Sequence, residues 1–415
     1  MGVALAACVA LLLAGSAAAA APPSAAGPAP HRAGLKPVDQ NALERAVRAA
    51  AEQMLVPGAM VLVRTPEGTY RAAAGTTELG AQLPPTADTH FRIASNTKTM
   101  TAALITLLAQ DGGLSFGDPV SAYVDGVPNG ANITIADLLK MRSGLYGYTN
   151  APELATAMDA DLGRVWTPQE MLDIAFKRPP NFAPNTGYEY SNTNYALLGL
   201  VAEKVGGKPL AEQFQQRLLG PLGLRQTSLP AATDDKIPAP YSHGYMYGGT
   251  AYALVDEPYP AEMQAAARAG TLKPIDYTNQ NPSYATAAGG AVSTADDLAV
   301  WISSLVTGKV FDAAFRRQWL DSLQAEDPAH PDGQKYGYGI SYQRFAPNAA
   351  MYYHGGELPG FNSFMGHDPD NGVTIVIWTN LPVAPDGRTT ANALLPTVLD
   401  QVYGLSLAPA PTPTS

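Results

Sequence analysis

Apolar positions recur at helical spacing across 38–55, with Asp39 placed to cap the run and Pro57-Gly58 placed to stop it. Two strand-like runs follow, 59–64 and 70–74, joined by a turn at Pro66-Glu67-Gly68. Strand-like runs return near the other end at 339–345, 350–354, 362–366 and 373–379. The last of these follows Asp370-Asn371-Gly372, a strong hairpin signal. A final helix is predicted over 390–402. Between these groups the pattern is helix and loop, with helices at 95–110, 134–141, 167–177, 191–205 and 209–219. Strands at both ends with helices between them predict an α/β (α+β) chain. Residues 38–94 and 286–405 form one α/β domain, and 95–285 form an inserted, mostly helical domain. Catalytic groups commonly sit in the crevice between such units.

The flanks read differently. Residues 3–20 are small and apolar and end in an Ala-rich stretch that suits cleavage near Ala20, so 1–20 is expected to be an export signal. No Lys or Arg precedes the apolar run, which points to a start codon further upstream. Leu5-Ala6-Ala7-Cys8 resembles a lipoprotein acylation box, with too little apolar sequence before it. Residues 21–37 read as a Pro/Ala linker and 406–415 as a disordered tail. Cys8 is the sole cysteine, so removal of the signal leaves no disulfide, thiol nucleophile or thiolate metal site. The net charge of −10, with no run of lysines or arginines, argues against nucleic acid and anionic membranes as partners. No second long apolar run is present, so no membrane span is expected in the mature chain.

Chemistry concentrates at Ser95-Asn96-Thr97-Lys98. The three-residue spacing puts Ser95 and Lys98 on one helix face. A serine hydroxyl becomes a nucleophile when a neighbour takes its proton, and a buried lysine can be that neighbour because burial lowers its pKa. Among the chain's lysines only Lys98 has a serine three residues before it. By itself the tetrad also reads as a helix cap beside a solvated lysine. Two further elements favour catalysis: Tyr190-Ser191-Asn192 after a loop rich in Pro and Gly, and His354-Gly355-Gly356 after the run Met351-Tyr352-Tyr353.

Serine–lysine, then tyrosine-x-asparagine, then a basic residue before glycine, in that order, resembles the serine penicillin-binding protein and β-lactamase superfamily. Phe91-Arg92-Ile93-Ala94, Ser143-Gly144-Leu145, Gly289-Gly290-Ala291 and Gly337-Tyr338-Gly339 extend the resemblance over roughly residues 38 to 405. Within it the chain looks most like secreted D-alanyl-D-alanine carboxypeptidases. The resemblance implies an antiparallel sheet flanked by helices. It also implies catalytic roles for Ser95 as nucleophile, Lys98 as base and Tyr190 as proton carrier. Asn192, His354, Gly355, Gly356 and Glu357 are expected at the substrate, with the N–H groups of Ser95 and Glu357 as the oxyanion hole. His354 is expected to act through a charge that changes near neutrality.

Some positions depart from the carboxypeptidase pattern. Gly355 and Glu357 stand where such relatives carry threonines that bind the terminal carboxylate. The arginine they use on the preceding strand maps near Ser341, with Arg344 close by, and Met141 stands where many have a histidine. Glu357 would repel a carboxylate and favour an amine. The expected function is an exported serine hydrolase of the cell envelope, DD-peptidase-like, acting on D-alanyl peptides of peptidoglycan. The alternatives are an esterase or D-aminopeptidase/amidase, a β-lactamase, and a non-catalytic penicillin-binding scaffold. β-Lactams are the expected inhibitors. His31, His90, His243, His330 and His367 show no metal-ligand spacing, and neither metal nor cofactor is expected.

Overall fold

A computed structural model describes residues 35–254 and 259–405. The expected export signal, the linker as far as residue 34, and the tail therefore lie outside the described residues. Eight strands form one antiparallel sheet: β1 (Gly58–Thr65), β2 (Gly68–Gly75), β3 (Gln324–Ala325), β4 (Lys335–Tyr336), β5 (Ser341–Ala346), β6 (Ala349–Leu358), β7 (Phe361–Asp368) and β8 (Val373–Thr379). Their order is β2-β1-β8-β7-β6-β5-β4-β3. The sheet is thus assembled from residues 58–75 and 324–379, with mainly helix and loop between.

Side chains of the central strands alternate between two cores, as the period of two requires. Met60, Leu62, Val376 and Trp378 face one core. Val61, Val63, Ile375 and Ile377 face the other. Helices α1 (Gln40–Gln53) and α5 (Thr390–Tyr403) cover the second face through Leu43, Val47, Leu394 and Val398. The first face is covered by α2 (Thr97–Gln110), α3 (Asn192–Gly206) and α4 (Ala295–Thr307), through Leu104, Leu197 and Trp301 among others. With both faces covered, β1 and β8 read as continuous apolar runs. Phe91 stacks on Trp378 with ring centroids 4.9 Å apart. Burying each such large side chain contributes about 1.5–3 kcal/mol.

Asp39 caps α1 as expected, its side chain accepting from the Ala42 N–H at 2.9 Å. Several elements differ from the sequence reading. β6 continues past His354 to Leu358, because Gly355, Gly356 and Glu357 pair with Phe364, Ser363 and Asn362 of β7 and the ladder carries the strand through the glycines. The helix expected at 209–219 is a short helix, Leu210–Phe214, followed by a π-helical turn, Gln215–Leu219. Helix α4 was not expected, although Thr294 and Asp297 carry its capping signature.

No helix among the described residues is long and apolar enough to cross a membrane. No group of three or more His, Cys, Asp or Glu among them is placed to hold a metal ion.

Candidate active site

Ser95 sits in a tight turn, Ala94–Asn96, which leads directly into α2. Ala94 has φ +50°, a left-handed conformation that a side-chain-bearing residue adopts at a cost. The turn is tied to the sheet. Asn96 Nδ2 donates to Ile93 O at 3.1 Å and to Ser363 Oγ at 2.8 Å, and Ser363 Oγ donates to Ile93 O at 3.1 Å. Gly356 permits this approach, since a Cβ there would stand 2.4 Å from Ile93 O and 3.0 Å from Ala94 Cβ. Glycine at this position is therefore a packing requirement of the site.

Thr97 through Ala109 of α2 are all buried, so this helix has no solvent face and Lys98 is fully buried with it. Its Nζ lies 2.9 Å from Ser95 Oγ, 2.7 Å from Asn192 Oδ1 and 2.8 Å from Ala288 O. Burial holds its pKa well below the ordinary lysine value. The two carbonyl oxygens can only accept, and a neutral amine has two N–H donors and one lone pair. A neutral Lys98 therefore donates to Asn192 and Ala288 and turns its lone pair to the Ser95 hydroxyl. That is the geometry of a base poised on a nucleophile.

Asn192 opens α3, and its Nδ2 donates to Thr149 Oγ1 at 3.0 Å, which fixes the amide that receives Lys98. Tyr190 precedes it, with Lys98 Nζ 4.8 Å from the ring centroid. Burial of its hydroxyl raises the Tyr190 pKa. A hydrogen bond with Ser95 opposes the rise and the charge of Glu326 adds to it. The structure brings together Ser95, Lys98, Tyr190 and Asn192.

His354 is buried, and its expected change of charge near neutrality is not supported. Burial, helped by the charge of Lys98 and opposed by the Gly355 carbonyl, lowers its pKa to about 3. Its Nδ1 lies 2.6 Å from Gly355 O and its Nε2 lies 3.0 Å from the Tyr336 hydroxyl. A carbonyl only accepts, so Nδ1 carries the proton of the neutral ring. Arg344 is not in the cleft. It alternates with Gln343 and Phe345, which do line the cleft, and donates to Pro347 O at 3.0 Å.

The cleft encloses about 490 Å³, and its lining includes Ser95, Tyr190, Ser341, His354, Gly355, Gly356 and Glu357. Its walls also carry Tyr188, Tyr336, Tyr353 and Glu326, which the sequence reading did not single out. Met141 contacts the segment that carries Ser191 and Asn194. In a left-handed conformation, φ +61°, it aims its sulfur at the Ser191 N–H and the Asn194 side-chain amide, each 3.4 Å away. It thereby braces the segment that carries Tyr190 and Asn192. We expect Met141→Leu to remove this acceptor, lower stability by about 1 kcal/mol and reduce kcat. Urea midpoints and turnover that both match the wild type would remove the bracing role.

Residues 43–398 match the family described as beta-lactamase. The chain belongs to this family. Esterase EstB of Burkholderia gladioli is 27% identical over 356 residues, which make up 80% of this chain and 88% of the esterase. Penicillin-binding protein 4* of Bacillus subtilis is 25% identical over 75% of this chain, and the match spans 65% of that longer protein. Among solved structures, the D-stereospecific amidohydrolase from Streptomyces sp. superposes with a TM-score of 0.75. It is 26% identical and covers 88% of this chain and 99% of its own. The D-amino acid amidase from Ochrobactrum anthropi SV3 gives 0.72 at 27% identity, covering 87% and 97%. The fold is the mixed α/β, antiparallel-sheet architecture of this beta-lactamase family, and family and homologues make the chain a serine hydrolase.

Proposed function

We propose that the chain hydrolyses amides or esters through an acyl-enzyme on Ser95, and that its substrates need no free carboxylate. The lining of the cleft carries this reading. Among the described residues that line it there is no lysine or arginine, and its histidine is neutral. A carboxypeptidase must neutralise the terminal carboxylate of its substrate, for which a bidentate arginine is the strong solution. Here Ser341 occupies the position to which that arginine maps, and Glu357 adds an acidic side chain to the wall. The names of the similar esterase and amidase point to the same substrate class.

In this mechanism Lys98 accepts the Ser95 proton as Oγ attacks the carbonyl. Tyr190 passes a proton to the leaving group and, in the second step, helps activate water. Asn192 orients the lysine. The backbone N–H groups of Ser95 and Glu357, both in the cleft wall, receive the developing oxyanion. β-Lactams, which are strained amides, would acylate the same hydroxyl.

The test compares p-nitrophenyl acetate and D-alanine amide with a peptide ending in D-Ala-D-Ala, using Ser95→Ala as control. We expect Ser95-dependent turnover of the ester or the amide to exceed D-alanine release by about tenfold or more. The reverse ranking would establish the carboxypeptidase instead.

A further inference from the structure

The catalytic cleft carries two carboxylates, Glu357 and Glu326. At one end lies Ser95. At the other, Glu326 directly follows β3, its N–H donating to Gln334 O at 3.1 Å. β3 lies three strand positions from β6, roughly 14 Å at the usual inter-strand spacing. The carboxylate accepts from Gln334 Nε2 at 2.7 Å and from the Tyr188 hydroxyl. Gln334 in turn receives the Tyr353 hydroxyl on its Oε1 at 2.7 Å. These contacts fix the carboxylate and supply no countercharge. Its charge contributes to raising the pKa of the hydroxyls of Tyr188, Tyr190 and Tyr353, so its field reaches across the cleft.

No salt bridge among the described residues includes Glu326. The neighbouring cations are directed elsewhere. Lys335 pairs across the sheet with Tyr342, on the strand face opposite Gln334 and Tyr336. Arg142 lies against the Tyr188 ring and donates to the backbone carbonyls of Ala325 at 2.7 Å and Gly187 at 3.3 Å. A carboxylate oxygen with spare lone pairs, amide oxygens and tyrosine faces together suit one ligand chemistry. An ammonium offers three N–H donors and a charge that aromatic faces attract. A divalent metal would demand more carboxylate oxygens than this end supplies.

We propose that the cleft selects acyl substrates bearing an alkylammonium at one end, held by the Glu326 carboxylate between the Tyr188 and Tyr353 rings, on the order of 10 Å from the Ser95 hydroxyl. The inference rests on the hydrolase reading above and names its substrate class. At that distance the cation is not the α-amino group beside the scissile carbonyl. It is a charge carried on a flexible chain several bonds away.

The test uses two esters of matched length, p-nitrophenyl 6-aminohexanoate and p-nitrophenyl heptanoate. In the wild type we expect kcat/KM for the cationic ester to exceed that for the neutral one by about tenfold. We expect Glu326→Gln to bring the ratio near one; because the ratio compares two substrates on one protein, it reads the charge whatever happens to absolute rates. On the wild type alone, pentylammonium should inhibit heptanoate hydrolysis at about a tenfold lower concentration than pentanol. A wild-type ratio near one, or a ratio that survives Glu326→Gln, overturns the inference and leaves the hydrolase reading standing. Absence of Ser95-dependent turnover of either ester removes both.

Discussion

Replacing Ser95 by alanine is expected to lower turnover of every acyl substrate by about 10⁴-fold or more while leaving the fold intact. The loss is large because the hydroxyl is the atom that forms the covalent bond, held 2.9 Å from the Lys98 amine that takes its proton. The structural cost is small. Ser95 is half-buried in its turn, and the amine of Lys98 keeps Asn192 and Ala288 as partners at 2.7 and 2.8 Å. The hydroxyl's hydrogen bonds to Lys98 and Tyr190 are lost while the lysine keeps two of its three, so a change in stability of about 1–2 kcal/mol is expected. Mass spectrometry supplies the sharper readout. A slow acyl substrate or a β-lactam should leave a covalent adduct on the wild type and none on the variant. An adduct that persists in Ser95→Ala would place the nucleophile elsewhere and remove the mechanism.

What could be read in the sequence divides along physical lines. The strands 59–64 and 373–379 were legible because they are long apolar runs bounded by turns, and they emerged as the neighbours β1 and β8, where Val61 pairs with Ile377. β3 and β4 were not legible, since two residues carry no periodicity and such strands exist only through pairing with β5 and each other. The same divide runs through the site. Ser95 and Lys98 are three residues apart, so helix geometry alone joins them. Tyr190 and Asn192 sit in a motif whose order along the chain is itself a signal. The Ala288 carbonyl, the Met141 sulfur and Glu326 act through contacts between residues far apart in sequence: Ala288 accepts from Lys98 across 190 positions. Nothing in the local sequence marks Ala288 or Glu326, and Met141 stood out only against the family pattern. The charge state of His354 failed for a related reason. A histidine before two glycines announces a motif, but only the packing of β6 shows that the ring is buried and held neutral.

Replacing Lys98 by methionine is expected to lower kcat/KM by about 10²–10⁴-fold and, separately, to remove a pH dependence of stability. In the unfolded chain this lysine titrates near its ordinary value of 10.5, whereas burial in the folded chain lowers its pKa well below that. Well below both values each state is protonated and the group gives no slope. Between them the unfolded chain binds one proton more than the folded chain, so stability rises with pH, at most about 1.4 kcal/mol per unit for one proton. Above 10.5 the slope vanishes again. Methionine fills similar space without a proton, and His354, whose pKa the Lys98 charge helps to lower, is neutral at pH 8 and above in the wild type and so adds no slope there. The difference between wild type and Lys98→Met therefore isolates Lys98. Urea midpoints at pH 8 and pH 10 should show the wild type gaining on the variant as pH rises. The same proton sets the acid limb of kcat/KM, because only the neutral amine can accept from Ser95. With its pKa near 3, His354 contributes no limb close to neutrality, so His354→Gln should keep the wild-type pH profile. Equal pH slopes of stability in the wild type and Lys98→Met would mean that the lysine is charged where it lies, and a different base would then have to serve Ser95.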